Sequence, residues 1–287
     1  MALLIGIDGG GTSCRAAVAA ETGGILGRGR GGASNVLTSV AGALESIAHA
    51  AGEALEAAAL PSDAIAEADA VLGLAGANVG PYGQELLARL PFRRARIESD
   101  ATIALYGALG EHDGAIGIVG TGTAYALKRG REVRHLGGWG FALGDGGSGA
   151  WLGWRVAEET LLAFDGVRPS SPLAARVLAR FGGEPQAMVE WATAAKPGDF
   201  GALAPLLFDD PEDPLARELL DAGAAMVSAS VRALALRPGE RLALLGGLAE
   251  KTAPRLDPDL RPFLHPRQGD ALDGAILLAR QYWGAAP

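Results

Sequence analysis

Cysteine and histidine are scarce in this chain of 287 residues, which contains one cysteine and four histidines. The single cysteine, Cys14, excludes an internal disulfide framework and a cysteine-ligated iron–sulfur cluster within one chain. No two histidines have the spacing of a metal-binding pair, and the zinc-protease pattern His-Glu-x-x-His is absent. The composition therefore argues against disulfide-rich domains and histidine-based metalloenzymes.

Positive charge and long apolar runs are also scarce. The formal net charge is −8, and a general nucleic-acid binder needs a phosphate-neutralising surface, so that class is disfavoured. The densest basic run, 89–96, is predicted to be a solvated turn before a strand. No run of about 18 apolar residues predicts a membrane span, and the apolar start of the chain lacks a basic region and stops at Asp8. We expect a cytoplasmic protein that binds neither nucleic acid nor membrane.

Glycine, in contrast, is abundant. The 43 glycines and 16 prolines make up about a fifth of the chain, whereas the two together average about 12% in proteins. The glycines fall in clusters without a Gly-X-Y period, which excludes collagen. Such clusters are typical of tight turns and of places where backbone approaches a ligand closely.

Strand-like segments alternate with helical ones, which favours an α/β fold. Several apolar segments end in glycines, as a strand does when it enters a turn. Strands are predicted at 3–8, 68–76, 94–99, 114–120 and 241–247, and helices at 39–60, 81–90, 101–109, 271–280 and over most of 148–236.

Two glycine-rich blocks resemble each other. Ile-Gly-Ile-Asp-Gly-Gly-Gly-Thr at 5–12 and Ile-Gly-Ile-Val-Gly-Thr-Gly-Thr at 116–123 match at six of eight positions. Each follows a strand pattern and opens a turn, so we interpret them as parts of two related halves. Chance similarity in glycine-rich sequence is the alternative, because repeats are normally recognised over longer stretches.

Glycine turns can bind phosphate, because their backbone N–H groups are accessible to its oxygens. The common phosphate motifs do not explain these turns: no Gly-Lys pair of a Walker A loop occurs, and the protein-kinase His-Arg-Asp motif is absent. A Gly-x-Gly-x-x-Gly pattern at 144–149 lacks the strand and the acidic residue of a dinucleotide site.

The block at 5–12 combines a strand-end carboxylate with three glycines and a hydroxyl. Asp8 could hold Mg²⁺ directly or through water, Gly9, Gly10 and Gly11 could approach phosphate, and Thr12 could donate to it. A hairpin turn without a ligand is the alternative, because Asp-Gly is a frequent hairpin signal.

Together with further segments, these blocks make the sequence resemble the sugar-kinase/Hsp70/actin superfamily and, within it, the N-acetylglucosamine kinases of the BadF/BadG/BcrA/BcrD ATPase group. The resemblance rests on segments spread over most of the chain. They are the two glycine blocks, SNV at 34–36, ESDA at 98–101, GGWGFALGDGGSGAWLG at 137–153 and LALLGGLAE at 242–250. Gly146 departs from the family pattern, which usually has Glu there, and this puts one polar contact of the segment in doubt.

The resemblance implies an α/β fold of two duplicated ribonuclease-H-like (actin-like ATPase) domains with a cleft between them. The N-terminal domain would span 1–112 and be completed by the C-terminal helix at 271–284. The C-terminal domain would span 113–270 and carry a helical insertion.

The resemblance also implies roles for individual residues. Asp100 would be the catalytic base that takes the proton of the attacking hydroxyl, and Asp8 would hold Mg²⁺. The ATP contacts would be Asp8, Gly9, Gly10, Gly11, Thr12, Gly120, Thr121, Gly122, Gly246 and Gly247. The sugar contacts would be Asn35, Asp100, Thr123, Gly138, Trp139, Gly140 and Asp145.

Most of these residues also have structural explanations. Asp100 could simply cap the following helix, and Asn35 and Asp145 could cap a turn and a helix start. Trp139 could belong to the core, and Gly246 with Gly247 could form an ordinary turn from strand to helix.

The resulting hypothesis is an ATP- and Mg²⁺-dependent kinase for the 6-hydroxyl of an amino sugar, with N-acetylglucosamine as the first choice. Glucosamine, N-acetylmuramic acid or a neutral hexose are alternative acceptors. A non-catalytic sugar or nucleotide sensor is a further alternative, as is an ATPase activator with an iron–sulfur cluster between subunits. The sequence leaves open whether the protein is a monomer or a homodimer.

Overall fold

The computed structural model describes residues 3–36, 38–74 and 82–284. The chain divides into two compact units: unit 1 takes the chain up to Asp113 and from Pro266 onward, and unit 2 is Gly114–His265. The strands are β1 (Leu3–Gly9), β2 (Cys14–Ala20), β3 (Ile25–Gly31), β4 (Asp69–Leu74), β5 (Arg94–Glu98), β6 (Gly114–Val119), β7 (Thr123–Arg129), β8 (Glu132–Gly137) and β9 (Arg241–Leu245). The helices are α1 (Val40–Ala57), α2 (Tyr82–Leu87), α3 (Asp100–Leu109), α4 (Gly149–Phe164), α5 (Pro172–Ala179), α6 (Pro185–Ala194), α7 (Pro197–Gly201), α8 (Pro205–Asp209), α9 (Pro214–Ala233), α10 (Ala249–Thr252) and α11 (Ala271–Trp283). Residues 75–76 of the predicted strand and residue 81 of the predicted helix lie outside the described residues.

Unit 1 is built on a five-stranded sheet with the order β3-β2-β1-β4-β5. The first three strands form an antiparallel meander, whereas β4 and β5 run parallel to β1. The inner strands β1 and β4 are buried almost throughout, as expected for strands covered by helices. Because the carboxyl ends of parallel strands share one edge of the sheet, Asp8 and Asp100 lie at the same edge of unit 1.

Many glycines of unit 1 serve packing rather than turns. Gly27, Gly29 and Gly31 alternate along β3, and a Cβ at each would lie 2.2–2.3 Å from a backbone oxygen of α1. Gly107 of α3 and Gly274 of α11 meet in the same way, with a backbone oxygen 1.8–1.9 Å from the Cβ position. The glycine surplus of the sequence therefore has two causes, and only the turn glycines are candidates for ligand contact.

Unit 2 has a four-stranded sheet with the order β8-β7-β6-β9. Again three strands form an antiparallel meander and the fourth, β9, runs parallel to the first. This repeats the arrangement of β3-β2-β1-β4, so the interpretation of two related halves is confirmed. One apolar core lies between the sheet and α9, and a second is formed by α4–α9.

The basic run at 89–96 is not merely a solvated turn. Arg93 and Arg94 both form ion pairs with Asp69, whose side chain is only 1% exposed, at Nη2–Oδ2 distances of 2.6 and 2.5 Å. They join the start of β4 to the start of β5. In the described part of the chain, no helix has the length and apolarity to cross a membrane.

Candidate active site

The first glycine turn joins β1 to β2 and is closed by two backbone hydrogen bonds. The Gly10 N–H donates to the Ser13 carbonyl (3.0 Å), and the Ser34 N–H donates to the Gly10 carbonyl (3.0 Å). Gly9 is crowded by side chains, because a Cβ there would lie 2.4 Å from Ser34 Oγ and 2.5 Å from a methyl carbon of Leu74. Gly11 is different, since no atom lies within 4 Å of its Cβ position.

The tip of this turn presents backbone donors. Gly11 and Thr12 are exposed, and within the described ranges no protein group accepts from either N–H. Packing does not require glycine at position 11, whereas a ligand that touches the backbone would. The turn thus fits the sequence-based expectation of a phosphate contact.

Asp8 lies at the foot of the turn and is paired across the hairpin. The register places Arg15 opposite Asp8, and the Arg15 guanidinium donates to Asp8 Oδ2 through Nε (3.1 Å) and Nη2. The Asp8 Oδ1 atom has no hydrogen bond to a described residue. One carboxylate oxygen is therefore neutralised within unit 1, and the other is available to a cation or its bound water.

The second glycine turn, at 120–122, joins β6 to β7 and has its carbonyls turned toward the protein. The carbonyls of Val119, Gly120 and Thr121 accept from the N–H groups of Leu248 (3.0 Å), Gly149 (2.8 Å) and Ala150 (3.1 Å). The Gly122 carbonyl accepts from the Gly120 N–H of the same turn (3.0 Å).

Two N–H groups of the same turn, unlike its carbonyls, have no partner among the described residues. Among the residues that the structure describes, no group accepts from the N–H of Thr121 or Gly122, and Thr121 is exposed. A peptide segment with engaged carbonyls and free N–H groups presents a positive surface, which is the chemistry of an anion-binding nest. Gly120, with nothing within 4 Å of its Cβ position, leaves room beside that surface.

Helix α4 begins directly against this turn. Its first two N–H groups, from Gly149 and Ala150, are the donors to the turn, and Ser148 Oγ caps the helix by accepting from Trp151 N–H (3.1 Å). The free donors at this place are therefore those of the turn and not those of the helix end.

Asp145 contacts the second turn from the side. Its Oδ1 accepts from the Thr123 N–H (2.9 Å), and a Cβ at Gly122 would lie 2.8 Å from its Oδ2. The interpretation of Asp145 as a helix cap is wrong, because Ser148 is the N-cap of α4.

Asp100 is the first residue of α3 and is exposed. Its Oδ1 accepts from the Ala101 N–H (2.8 Å). The expected N-cap role is wrong for Asp100 too, since Ser99 caps α3 by accepting from Thr102 N–H (3.0 Å). Asp100 is thus an exposed carboxylate at the carboxyl edge of the unit 1 sheet, with one oxygen held by the first turn of α3.

The other predicted sugar residues differ in accessibility. Trp139 is 78% exposed, so the alternative of a core residue is wrong, and it lies between Gly138 and Gly140, which have φ of +74° and +81°. Thr123 is only 5% exposed, and its side chain offers little surface to a sugar. The Asn35 carbonyl accepts from Thr38 N–H (3.1 Å) in the turn before α1.

The predicted adenosine glycines flank the second turn. Gly246 has φ of +93°, and a Cβ there would lie 2.5 Å from the Val119 carbonyl oxygen, so Gly246 has a structural task. Gly247 is exposed, with nothing within 4 Å of its Cβ position.

Sequence reasoning missed the residues that hold these turns. Arg15 at Asp8, and Gly149 and Ala150 at the second turn, were not singled out. Arg15 could have been found, because it faces Asp8 in a hairpin with a four-residue loop. The contacts of Gly149 and Ala150 with a turn almost 30 residues earlier left no signal in the sequence.

Comparison with known proteins identifies the family of this chain. Residues 5–257 match the model of the BadF/BadG/BcrA/BcrD ATPase family. The chain belongs to this family. It is accordingly a protein that uses ATP, and the fold predicted from the sequence is confirmed.

Individual relatives of this ATPase family member are similar over nearly their whole length. The chain is 37% identical to the glucosamine kinase GspK of Vibrio cholerae, over 96% of this chain and 95% of the relative. A candidate N-acetylglucosamine kinase of Chromobacterium violaceum has 36% identity and a TM-score of 0.86, with 97% and 99% of the two chains covered. The ROK-family glucokinase of Streptomyces griseus, solved with glucose and AMPPNP, has 20% identity and a TM-score of 0.58, with 97% and 99% covered, which shows similarity of fold.

Proposed function

We propose that this protein is an ATP-dependent kinase that transfers a phosphoryl group to the 6-hydroxyl of an amino sugar. The observation that carries the proposal is the polarity of the second turn, where four carbonyls are engaged by protein N–H groups and two N–H groups are free. A donor surface of this kind suits the phosphates of ATP. The similarity to a glucosamine kinase over 95% of that relative supplies the class of acceptor.

Both glycine turns contribute donors in this proposal. Gly11 and Thr12 on the first turn and Thr121 and Gly122 on the second contact phosphate oxygens through their N–H groups. Gly247, exposed and uncrowded, contacts the adenosine. Gly9 and Gly246 support the two turns and do not contact the nucleotide in this proposal, because protein atoms crowd the Cβ position of each.

Asp8 is the group we propose for Mg²⁺. The described residues contain no group of three or more His, Cys, Asp or Glu that could hold a metal ion. One carboxylate fits Mg²⁺ that arrives with a nucleotide, since this ion keeps several waters and takes few protein ligands. Mg²⁺ would supply charge neutralisation of the phosphates, and Arg15 would keep the Asp8 carboxylate in one orientation.

Asp100 is the proposed general base. Phosphoryl transfer depends mainly on positioning and charge stabilisation, and it needs one group that orients the attacking hydroxyl and accepts its proton. The Ala101 N–H holds Asp100 Oδ1, and Oδ2 is available to accept that proton.

The sugar contacts remain the predicted ones. We propose that Asn35 and Asp145 accept from sugar hydroxyls and that Trp139, exposed between Gly138 and Gly140, packs on the amino-sugar ring or its substituent. Thr123 supports the site from its buried position. N-acetylglucosamine is the first acceptor to test, and glucosamine is the second because the curated relative acts on it.

An ADP-release assay over a panel of sugars tests this proposal. The panel is N-acetylglucosamine, glucosamine, N-acetylmuramic acid and glucose, each with Mg²⁺–ATP, and a reaction without sugar is the control. ADP release that depends on an amino sugar and exceeds that with glucose supports the proposal. Sugar-independent ATP hydrolysis, or binding of an amino sugar without ADP release, would contradict it and indicate an ATPase or a sensor.

A further inference from the structure

Asp145 lies in an unusual backbone conformation for a residue other than glycine. Its φ is +61°, and Ala59 and Ala235 are the other two non-glycine residues with positive φ in the described part of the chain. L-residues adopt this region at a cost, and such conformations persist where surrounding contacts impose them. The contacts of Asp145 therefore indicate what its conformation serves.

The loop that carries Asp145 is fixed on its far side by α9. A Cβ at Gly147 would lie 2.4 Å from the Gly223 carbonyl oxygen, and one at Gly146 would lie 2.9 Å from Met226 Sδ. The Asp145 carbonyl accepts from Ser148 N–H (3.0 Å), the cap residue of α4. The loop is thereby fixed between α9 and the start of α4.

The carboxylate of Asp145 extends from this loop to the second glycine turn. Oδ1 accepts from the N–H of Thr123 (2.9 Å), the first residue of β7, which directly follows the turn. The carboxylate also packs on Gly122, where a Cβ would lie 2.8 Å from Oδ2 and 3.0 Å from Cγ. Of the N–H groups at 121–123, Asp145 accepts from the last, and those at 121 and 122 have no acceptor among the described residues.

We infer that Asp145 is a positioning residue for the nucleotide, because it sets the orientation of the N–H groups at 121 and 122. The inference rests on the proposed function and goes beyond the sugar contact expected for this residue. Its hydrogen bond fixes the end of the turn, while Gly149, Ala150 and Leu248 fix the carbonyls. Oδ2 remains available for a sugar hydroxyl, so one carboxylate can serve both substrates.

Two features of the chain allow a sharp test. Asparagine keeps an acceptor oxygen and tolerates positive φ, so D145N preserves the hydrogen bond to Thr123, whereas D145A removes it. The added methyl group in G122A displaces the carboxylate from the other side. D145A and G122A should therefore have the same defect, and D145N should not.

The experiment is calorimetric titration of the protein with AMPPNP and Mg²⁺ in the absence of sugar, combined with melting curves and the ADP-release assay. We expect D145A and G122A to bind the analogue about 10- to 100-fold more weakly, the loss that corresponds to one hydrogen bond to a charged group. We expect D145N to bind within about threefold of the wild type, and the D145A/G122A double variant to bind no more weakly than either single variant. D165A, which changes an exposed aspartate of unit 2, is the matched control.

The outcomes separate this inference from the proposed function. Wild-type protein that does not bind AMPPNP overturns the proposed function and this inference with it. If the wild type binds and D145A binds equally well, with a higher KM for the sugar alone, Asp145 is only a sugar ligand and the inference fails. It also fails if D145N binds as weakly as D145A. If D145A does not fold, the comparison of G122A with D145N decides between the same two results.

Discussion

The two glycine turns have related sequences and occupy equivalent places in their sheets, but they are built differently. The first turn has Asp8 at the end of its strand and, within the described ranges, only one backbone hydrogen bond from outside the hairpin, from Ser34. The second has the apolar Val119 at that position and is held by Asp145, by the start of α4 and by Leu248.

This difference indicates that the two units contribute different chemical groups to the proposed reaction. Unit 1 carries exposed or half-buried carboxylates, Asp8 and Asp100, at one sheet edge, and carboxylates perform proton transfer and cation binding. Unit 2 carries rigid backbone donors, which bind phosphate without changing charge. Substitutions of the unit 1 carboxylates should therefore act mainly on turnover and Mg²⁺ dependence, and substitutions that disturb the backbone donors of either turn should act mainly on nucleotide affinity.

The largest effect is expected for D100N. Asparagine cannot accept the proton of the sugar hydroxyl, so kcat should fall by about 10²- to 10⁴-fold, the usual contribution of a general base. The affinity for AMPPNP should stay unchanged in calorimetry, because Asp100 is not one of the proposed nucleotide contacts. S99A, which removes the helix cap but leaves the carboxylate, is the matched control. Near-normal turnover of D100N would show that Asp100 is not the base.

The next effect concerns the metal and the pair of Asp8 with Arg15. D8N should raise the Mg²⁺ concentration needed for half-maximal activity by about tenfold, because a charged contact becomes a neutral one. R15Q should have a smaller effect, since the carboxylate remains but loses its orienting partner. The readouts are the Mg²⁺ dependence of ADP release and calorimetric Mg²⁺ titration with AMPPNP. An unchanged Mg²⁺ requirement in D8N would contradict the assignment of Asp8 as the Mg²⁺ ligand.

An effect of similar size, but on nucleotide affinity, is expected where a methyl group is added to an uncrowded turn glycine. G11A and G120A should keep the wild-type melting temperature, because nothing lies within 4 Å of either Cβ position. Both should weaken AMPPNP binding, by roughly tenfold if one phosphate hydrogen bond is lost. Equal AMPPNP affinity of the wild type and both variants would show that phosphate does not approach these turns.

A last prediction concerns the stability of unit 1 at low pH and not its activity. Burial raises the pKa of the Asp69 carboxyl, but hydrogen bonds from Arg94 and Arg93 outweigh this and lower the pKa to about 2, from an ordinary 3.8. The folded-state value is the lower one, so the stabilisation is complete above about pH 4 and is lost as the pH falls toward 2. D69N should cost about 2 kcal/mol in the free energy of unfolding at pH 7, measured by urea denaturation.

A matched change in unit 2 serves as the control for this prediction. Asp259 also pairs with an arginine, Arg232, but the pair is exposed, so D259N should change the free energy of unfolding little. Equal destabilisation by D69N and D259N would contradict the structural role assigned to the buried pair.

Much of the fold was predictable because apolar segments and glycines mark the strand ends clearly. The strands at β1, β6 and β9, the helix at α3 and the repeat of the two turns were all visible in the sequence. The packing role of the β3 glycines was harder to predict. A glycine-rich segment normally indicates a turn, but Gly27, Gly29 and Gly31 pack against a helix. Their period of two was the available signal.

The candidate site was predictable as a set of residues but not as an arrangement. The sequence indicated Asp8, Asp100 and Asp145 as important acids, yet it could not show that Ser99 and Ser148 do the capping. It also could not show that Asp145 reaches Thr123, 22 positions away, because such contacts depend on how α9 and α4 hold the loop. Trp139 is a further example, because the glycines on either side of it did not reveal whether its side chain is buried or exposed.

The most direct test of the central claim is NMR analysis of the products that wild-type protein forms from Mg²⁺–ATP and an amino sugar. We predict a phosphomonoester whose phosphorus couples to the two protons at C6 of the sugar, formed in equal amount with ADP and missing from the D100N reaction. ADP formed together with inorganic phosphate, without a sugar phosphate, would contradict the account.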